Sequence, residues 1–245
     1  MRALSKQSAV ITGATGGIGK AIALRLAEKG VNLHLIGRNR QSLRLLAAKA
    51  KKTDSQIHVY QSDLTKDKDL KALVRKLKAH LGHVDILIHS AGALTLGRME
   101  DLSVQDFDEQ YRTNVRAPFA LTQALLPLIQ SCKGQIVIMN SSIWQQARAG
   151  IGQYAATKYA LKAIADSLRD EVNAEGIRVL SVYLGRTATS MQEAVHAEEG
   201  LPYHPENLIQ PTDVATTVLN ILRLPRTSEV TDIHIRPLKK APASR

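Results

Sequence analysis

Along the chain, short uninterrupted apolar runs alternate with longer segments in which apolar positions recur every three or four residues. A run of four to eight apolar residues bounded by Gly, Asn or Asp reads as a strand buried on both faces, and a 3.6-residue period reads as a helix packed along one stripe. On that basis strands are predicted at 9–12, 31–36, 56–60, 84–89, 134–140, 177–184 and 230–236. Helices are predicted at 20–29, 40–52, 66–81, 104–131, 154–175 and 212–224. Gly30 and Gly82 stop the first and third helices, and Pro118 predicts a kink or break inside the fourth. Strictly alternating strands and helices imply an α/β fold, a doubly wound seven-stranded parallel sheet with helices on both faces. No Pro- or Ser-rich linker divides the chain, so one domain is expected over 1–238, with a short basic tail at 239–245. The segment 186–210 has no clear period and follows the end of a strand, where long loops serve a ligand.

Composition narrows the partners. The net charge is +11, from 33 Lys and Arg against 22 Asp and Glu. Nearly all of the excess lies in residues 1–52, which hold eleven basic residues and the single acid Glu28. Some of it falls on predicted helix faces as solvated surface, and some is placed to attract an anionic cofactor. Aromatic residues make up only 4% and no stacking motif is present, so nucleic-acid binding is not expected. No apolar run is long enough for a membrane helix. The first ten residues pass straight into a strand and a Gly-rich turn, leaving no room for a secretory leader, and Cys132 is the only cysteine. A cytoplasmic location without disulfides is expected. The eight histidines are scattered, and His80 and His83 read as a surface pair rather than metal ligands.

The first chemical signal is Thr12-Gly13-Ala14-Thr15-Gly16-Gly17-Ile18-Gly19, between the first strand and the first helix. Glycines there let the backbone approach a ligand closely, and the helix N-terminus offers free N–H groups to a pyrophosphate. This is the Rossmann-type arrangement, although the glycine spacing departs from the usual fingerprint. The acid normally found after the second strand, which bonds a ribose 2′-hydroxyl, is replaced by Gly37-Arg38-Asn39-Arg40. Arg38 would instead receive a 2′-phosphate, so NADP(H) is favoured over NAD(H).

The second signal is Tyr154-Ala155-Ala156-Thr157-Lys158 at the start of a predicted helix. Residues four apart share a face, so phenol and ammonium can enter one cleft, and the ammonium is expected to draw the phenol pKa down. With these two signals in place, the chain resembles the single-domain short-chain dehydrogenase/reductase family along nearly its whole length. Asp63-Leu64 resembles the pair that places the adenine, and Ser90-Ala91-Gly92 the family's Asn-Asn-Ala-Gly motif. Asn114 matches the helix Asn of a water-linked proton relay, and Ser141-Ser142 the catalytic serine region. The resemblance implies an NADP(H)-dependent oxidoreductase that interconverts a carbonyl compound and its alcohol without a metal. In that mechanism Tyr154 is general acid and base, Ser142 holds the substrate oxygen, Lys158 tunes Tyr154 and binds the nicotinamide ribose, and Asn114 positions the relay water. Ser142 fits its following residues, while Ser141, thirteen before Tyr154, is the alternative. The resemblance also implies a homodimer or homotetramer built on 104–131 and 154–175.

The chain departs from the family at three points. His89-Ser90 replaces two asparagines, and Leu184-Gly185 replaces Pro-Gly, with Gly185 keeping the turn. Thr187 and Thr189 both remain available to bond the cofactor. Met191, Leu201, Tyr203 and His204 are the candidate substrate contacts, with Trp144 as an aromatic wall, and they suggest an uncharged or partly hydrophobic carbonyl compound. The competing reading is a non-catalytic NADP(H)-binding sensor or scaffold on the same fold, against which stand the retained Asn114, Ser142, Tyr154 and Lys158.

Overall fold

The computed structural model describes residues 3–51 and 55–239. Seven strands form one all-parallel sheet, β1 (Ser8–Thr12), β2 (Asn32–Gly37), β3 (Ile57–Gln61), β4 (Ile86–His89), β5 (Gln135–Ser141), β6 (Arg178–Leu184) and β7 (Asp232–Ile235). Their order is β3-β2-β1-β4-β5-β6-β7. The chain winds outward from β1 to β3 and then crosses back to β4, with Ala9 of β1 in register with Leu33 on one side and Ile86 on the other. A doubly wound sheet opens a crevice at such a reversal, beyond the carboxyl ends of the strands.

The side-chain alternation of β1 shows how the two layers form. Ala9 and Ile11 enter one core, with residues of α1 (Gly17–Ala27), α2 (Arg40–Ala50) and a C-terminal helix, Pro211–Leu222. Val10 points the other way, into a core shared with α3 (Asp67–His80), a helix at Ala117–Gln130 and another at Gly152–Val172. Leu70, Leu73 and Leu77, one turn apart on α3, are buried, each worth about 1.5–3 kcal/mol. On the opposite edge Arg169 fastens the Gly152–Val172 helix to the sheet. Its Nε donates to the Val179 carbonyl (3.1 Å) and its Nη2 to that of Thr231 (3.1 Å).

The predicted helix 104–131 is three pieces: α4 (Val104–Tyr111), a π-helical turn at Arg112–Arg116, and α5 (Ala117–Gln130). Ser103 caps α4 through a reciprocal box with Asp106. Pro118 sits at the start of α5 rather than in a kinked interior. α6 (Gly152–Val172) begins two residues before Tyr154. The region read as a loop, 186–210, contains a two-turn helix, α7 (Ser190–Glu198), before α8 (Pro211–Leu222) closes the fold. Thr189 caps α7, its Oγ1 accepting from the Gln192 N–H (3.3 Å). His80 and His83 are both exposed, each with its own neighbour. His80 stacks on His58 beside Tyr60, while His83 faces Asp85 at 3.1 Å. Among the described residues no helix is long and apolar enough to cross a membrane. The predicted basic tail, apart from Lys239, and the last residue of the predicted 40–52 helix lie outside the described residues.

Candidate active site

A cleft of about 520 Å³ opens along the carboxyl edge of the sheet, from β2 to the β6 exit. Every residue predicted for catalysis or cofactor binding lines it except Asn114. The glycines of the β1–α1 turn are there for space. Gly13 has φ +62°, and a Cβ on it would lie 2.6 Å from the Ala91 backbone nitrogen. A Cβ on Gly19 would lie 2.4 Å from the Gly13 carbonyl oxygen, and one on Gly17 2.7 Å from the Thr189 methyl. The turn therefore packs against the β4 exit and the α7 cap through bare backbone. Gly13→Ala combines a left-handed φ with a backbone collision and is expected to cost about 2–4 kcal/mol. That corresponds to a melting point lower by roughly 5–12 °C, and an unchanged melt would contradict the packing.

Gly16 precedes α1 with no side-chain cap, and the first turn of α1 carries no acid. The helix end is left with free N–H groups and a positive dipole facing the cleft, a site suited to a pyrophosphate. Thr12 fixes the opposite wall, its Oγ1 accepting from the N–H groups of Ser90 (3.1 Å) and Ala91 (3.3 Å). Arg38 stands exposed on the rim, one residue before Asn39, which caps α2. Asp63 closes this end. Burial works against its charge, but two hydrogen bonds from Thr65 and the cations Lys66 and Arg38 outweigh burial and hold its carboxyl below the usual range. Thr65 donates to it through N (3.1 Å) and Oγ1 (2.8 Å), so Asp63 caps a turn and lines the cleft at once.

Asn114 is fully buried, behind the cleft wall on which its neighbour Thr113 lies. Its Oδ1 accepts from the Ala93 N–H (2.8 Å), and its Nδ2 donates to the Ala93 carbonyl (2.8 Å) and to Thr157 Oγ1 (3.0 Å). Thr157 Oγ1 donates in turn to the Tyr154 carbonyl (2.7 Å). Asn114 thus ties the β4 exit to the first turn of α6, and Thr157 is the link that sequence reasoning missed. The π turn ends with the Ala117 N–H on the Arg112 carbonyl. The next residue is Pro118, which has no N–H to offer the carbonyls that follow. The turn therefore interrupts the regular helical hydrogen bonding just behind the cleft, and π turns recur at functional sites.

At the centre, Ser141 bears on the Tyr154 phenol through a side-chain hydrogen bond that draws its pKa down, a contribution Ser142 does not make. Ser141 is the last residue of β5, and its Oγ also accepts from the Ile143 N–H (3.3 Å). Ser142 begins the 3₁₀ turn that follows and lines the cleft without reaching the phenol's hydrogen bond. Both the expected Ser142 and its alternative Ser141 line the cleft, and of the two Ser141 is the one whose hydrogen bond bears on the phenol. Lys158 is buried, its Nζ 5.4 Å from the centre of the Tyr154 ring and donating to the Met139 carbonyl (3.3 Å). Asn140 Nδ2 donates to the Lys158 carbonyl (3.2 Å) and sets this turn of α6 on β5. Burial pushes the Tyr154 phenol up to about 12, with the Ser141 hydrogen bond only partly opposing it. Burial pulls the Lys158 ammonium down to about 8. The expected lowering of the Tyr154 pKa is thus reversed here, because desolvation outweighs the ammonium.

Beyond the β6 exit, Gly185 packs under Pro237, and Arg186 reaches Glu199 at the end of α7, its Nη2 at 2.9 and 2.7 Å from the two carboxylate oxygens. This pair holds α7 over the cleft. Thr187 and Thr189 line it, with hydroxyls donated to the carbonyls of Gly185 and Thr187. Of the predicted substrate contacts only Met191 lines the cleft; Leu201, Tyr203 and His204 do not. Tyr203 packs edge-on against His196. Trp144 also fails to form the expected wall. It faces Tyr183 and His234, with Lys162 Nζ 4.9 Å from its ring.

Known proteins share this architecture. An uncharacterized oxidoreductase of Staphylococcus epidermidis is 29% identical over 239 residues, covering 97% of this chain and all of its own length. An alcohol dehydrogenase from the archaeon Thermococcus sibiricus, solved with 5-hydroxy-NADP, superposes with a TM-score of 0.87 at 26% identity, over 98% of this chain and 100% of that one. A short chain dehydrogenase from Escherichia coli CFT073, solved with NADPH, gives 0.85 at 29% identity over 95% and 97%. The family model for short chain dehydrogenases matches residues 7–200, which take in the turn, the β4 exit and the Tyr154–Lys158 helix. With most of its length inside that match, the chain belongs to the short-chain dehydrogenase family of oxidoreductases.

Proposed function

We propose that the protein is an NADP(H)-dependent carbonyl reductase, or in the reverse direction an alcohol dehydrogenase. The observation that carries this reading is one continuous cleft. It joins an uncapped helix end and Arg38 at one extremity to the hydrogen-bonded Tyr154–Ser141 pair and Lys158 at the other. A dinucleotide would lie along it with its pyrophosphate over the turn at Gly13–Gly19, its adenine beside Asp63 and Leu64, and its nicotinamide towards Tyr154. When bound, the nicotinamide supplies or accepts the hydride. Related proteins solved with NADP, NADPH or 5-hydroxy-NADP support the cofactor class.

The remaining chemistry belongs to the chain. Tyr154 gives its proton to the substrate carbonyl oxygen during reduction. A phenol held near 12 is fully protonated at neutral pH, which loads the acid needed in that direction. Ser141, already on the phenol, donates to the same oxygen as charge develops there. Lys158, still largely an ammonium below about pH 8, opposes the negative charge left on Tyr154. Asn114 orients α6 through Thr157, and the carbonyls of its π turn are the place for a water that returns the proton. Phe119 and Tyr159, about half exposed on α5 and α6, suit the helical faces expected to form a homo-oligomer.

NADPH consumption against a panel of ketones and aldehydes tests the activity. Tight NADPH binding without turnover on any of them would favour a sensor or scaffold. The cofactor preference is tested at Arg38. Arg38→Asp removes the cation and adds repulsion, so NADPH is expected to bind about 100-fold more weakly relative to NADH. An unchanged NADPH/NADH ratio would exclude Arg38 as the 2′-phosphate residue.

A further inference from the structure

The cationic groups on the wall of the cleft are not all balanced. Among the described residues, Asp63 and Glu199 are its only carboxylates. Asp63 answers Lys66 and Arg38 at the far end, and Glu199 is occupied on both oxygens by Arg186. At the reacting end Lys158 is turned onto the Met139 carbonyl beneath Tyr154. Arg148 is the cation left over. It lines the cleft from the loop between β5 and α6, is exposed, and makes no ion pair among the described residues.

That loop holds Arg148 in place. Residues 148–151 form a tight turn in which the Ile151 N–H donates to the Arg148 carbonyl (3.3 Å) and Gly150 supplies φ +76° at the third position. The Gly97 N–H donates to the Gly150 carbonyl (2.9 Å), and the Ala155 N–H to that of Ile151 (2.9 Å), which joins the turn to the first turn of α6. Arg148 is therefore presented six residues before Tyr154 on a braced turn. The same cleft has Ile143, Ile151 and Met191 as apolar members of its wall. A planar guanidinium beside such a wall suits a carboxylate, which it can bond through two parallel N–H groups.

We propose that Arg148 is the anchor for an anionic substrate, a ketone or aldehyde that carries a carboxylate away from its reacting carbonyl. The apolar wall takes the carbon chain between the two ends, and Tyr154 and Ser141 take the carbonyl oxygen. This differs from the uncharged or partly hydrophobic compound expected from sequence in adding a charge; of the contacts foreseen for that compound, Met191 lines the cleft and Leu201, Tyr203 and His204 do not.

The proposal rests on the reductase reading, and the two fail on different readouts. Matched probes are 4-formylbenzoate with its methyl ester, and 4-oxopentanoate with its methyl ester. NADPH consumption by the wild type with any member sustains the reductase reading, whereas the acid-to-ester ratio of kcat/KM reports on the anion. The wild type is expected to prefer the acid by roughly 10- to 100-fold, with the ratio falling towards one in Arg148→Gln and only partly in Arg148→Lys. Binding is read in parallel as thermal stabilisation of the enzyme–NADP⁺ complex by each probe, and it covers a probe that binds without turnover. Equal turnover or binding of acid and ester, a ratio that Arg148→Gln leaves in place, or no binding of either acid would overturn the proposal.

Discussion

Tyr154→Phe is expected to lower NADPH-dependent reduction by about 10²–10⁴-fold, with NADPH affinity close to that of the wild type. Phenylalanine keeps the ring and its packing above Lys158 and removes one oxygen. That oxygen carries the proton and meets Ser141. Phenylalanine has no ionisable group, so no change of pH restores a donor in the variant. A fluorescence or calorimetric titration with NADPH separates lost chemistry from a lost site. Turnover that survives within tenfold would mean that another group supplies the proton and that Tyr154 is not the acid of this cleft. The same assay decides between the serines. Ser141→Ala should lose more than Ser142→Ala, since only Ser141 shares the phenol's hydrogen bond. The reverse order would restore Ser142.

Much of the fold can be read from the chain because a parallel sheet buried on both faces writes itself as uninterrupted apolar runs. Val84–His89 and Ile177–Leu184 come close to this, broken only by Asp85, His89, Arg178 and Ser181, and they contain β4 and β6. Arg38 can be read as a rim residue because it follows a strand directly. Features fixed by exact local register or by contacts distant in sequence cannot be read. The adjacent serines fall on either side of a strand end, Ser141 in β5 and Ser142 in the turn after it, a boundary that sequence pattern does not fix to one residue. The π turn depends on the register between Ala117 and Arg112, which apolar periodicity does not report. Helix α7 buries only Val195 and His196, too few for a stripe, and it is held by Arg186 on Glu199, thirteen residues away. Sequence proximity to Ser142 suggests a cleft wall for Trp144, yet its packing partners Tyr183 and His234 come from β6 and β7. The direction of the Tyr154 pKa escapes the sequence for a related reason. Spacing reveals a nearby charge and does not reveal how much water the fold removes.

Acidification is expected to unfold the protein between about pH 6 and 4, and His89 is the principal cause. It stands where the family resemblance leads one to expect asparagine, and it is buried in β4 with Nε2 2.8 Å from Thr122 Oγ1. Burial pulls its pKa down to about 3, so the folded protein keeps it neutral while the unfolded chain protonates it near 6.5. Between those values the unfolded state binds more protons, and stability falls as the pH falls. Over that range the loss is on the order of 5 kcal/mol. His34 adds to it. Burial first, then repulsion from His58 and His80, pulls it down to about 4, and its Nδ1 stays paired with the Tyr60 hydroxyl at 3.0 Å. That contributes roughly another 3 kcal/mol between pH 6.5 and 4. Together these are comparable with the whole stability of an ordinary domain, about 5–15 kcal/mol. Urea unfolding at pH 7, 5.5 and 4.5 should therefore show a slope approaching two protons in the wild type. His89→Asn should lose about one of them, whatever its stability at pH 7. A slope unchanged by that substitution would mean that His89 is already protonated in the fold, and a buried cation against Thr122 would then need a partner that β4 does not provide.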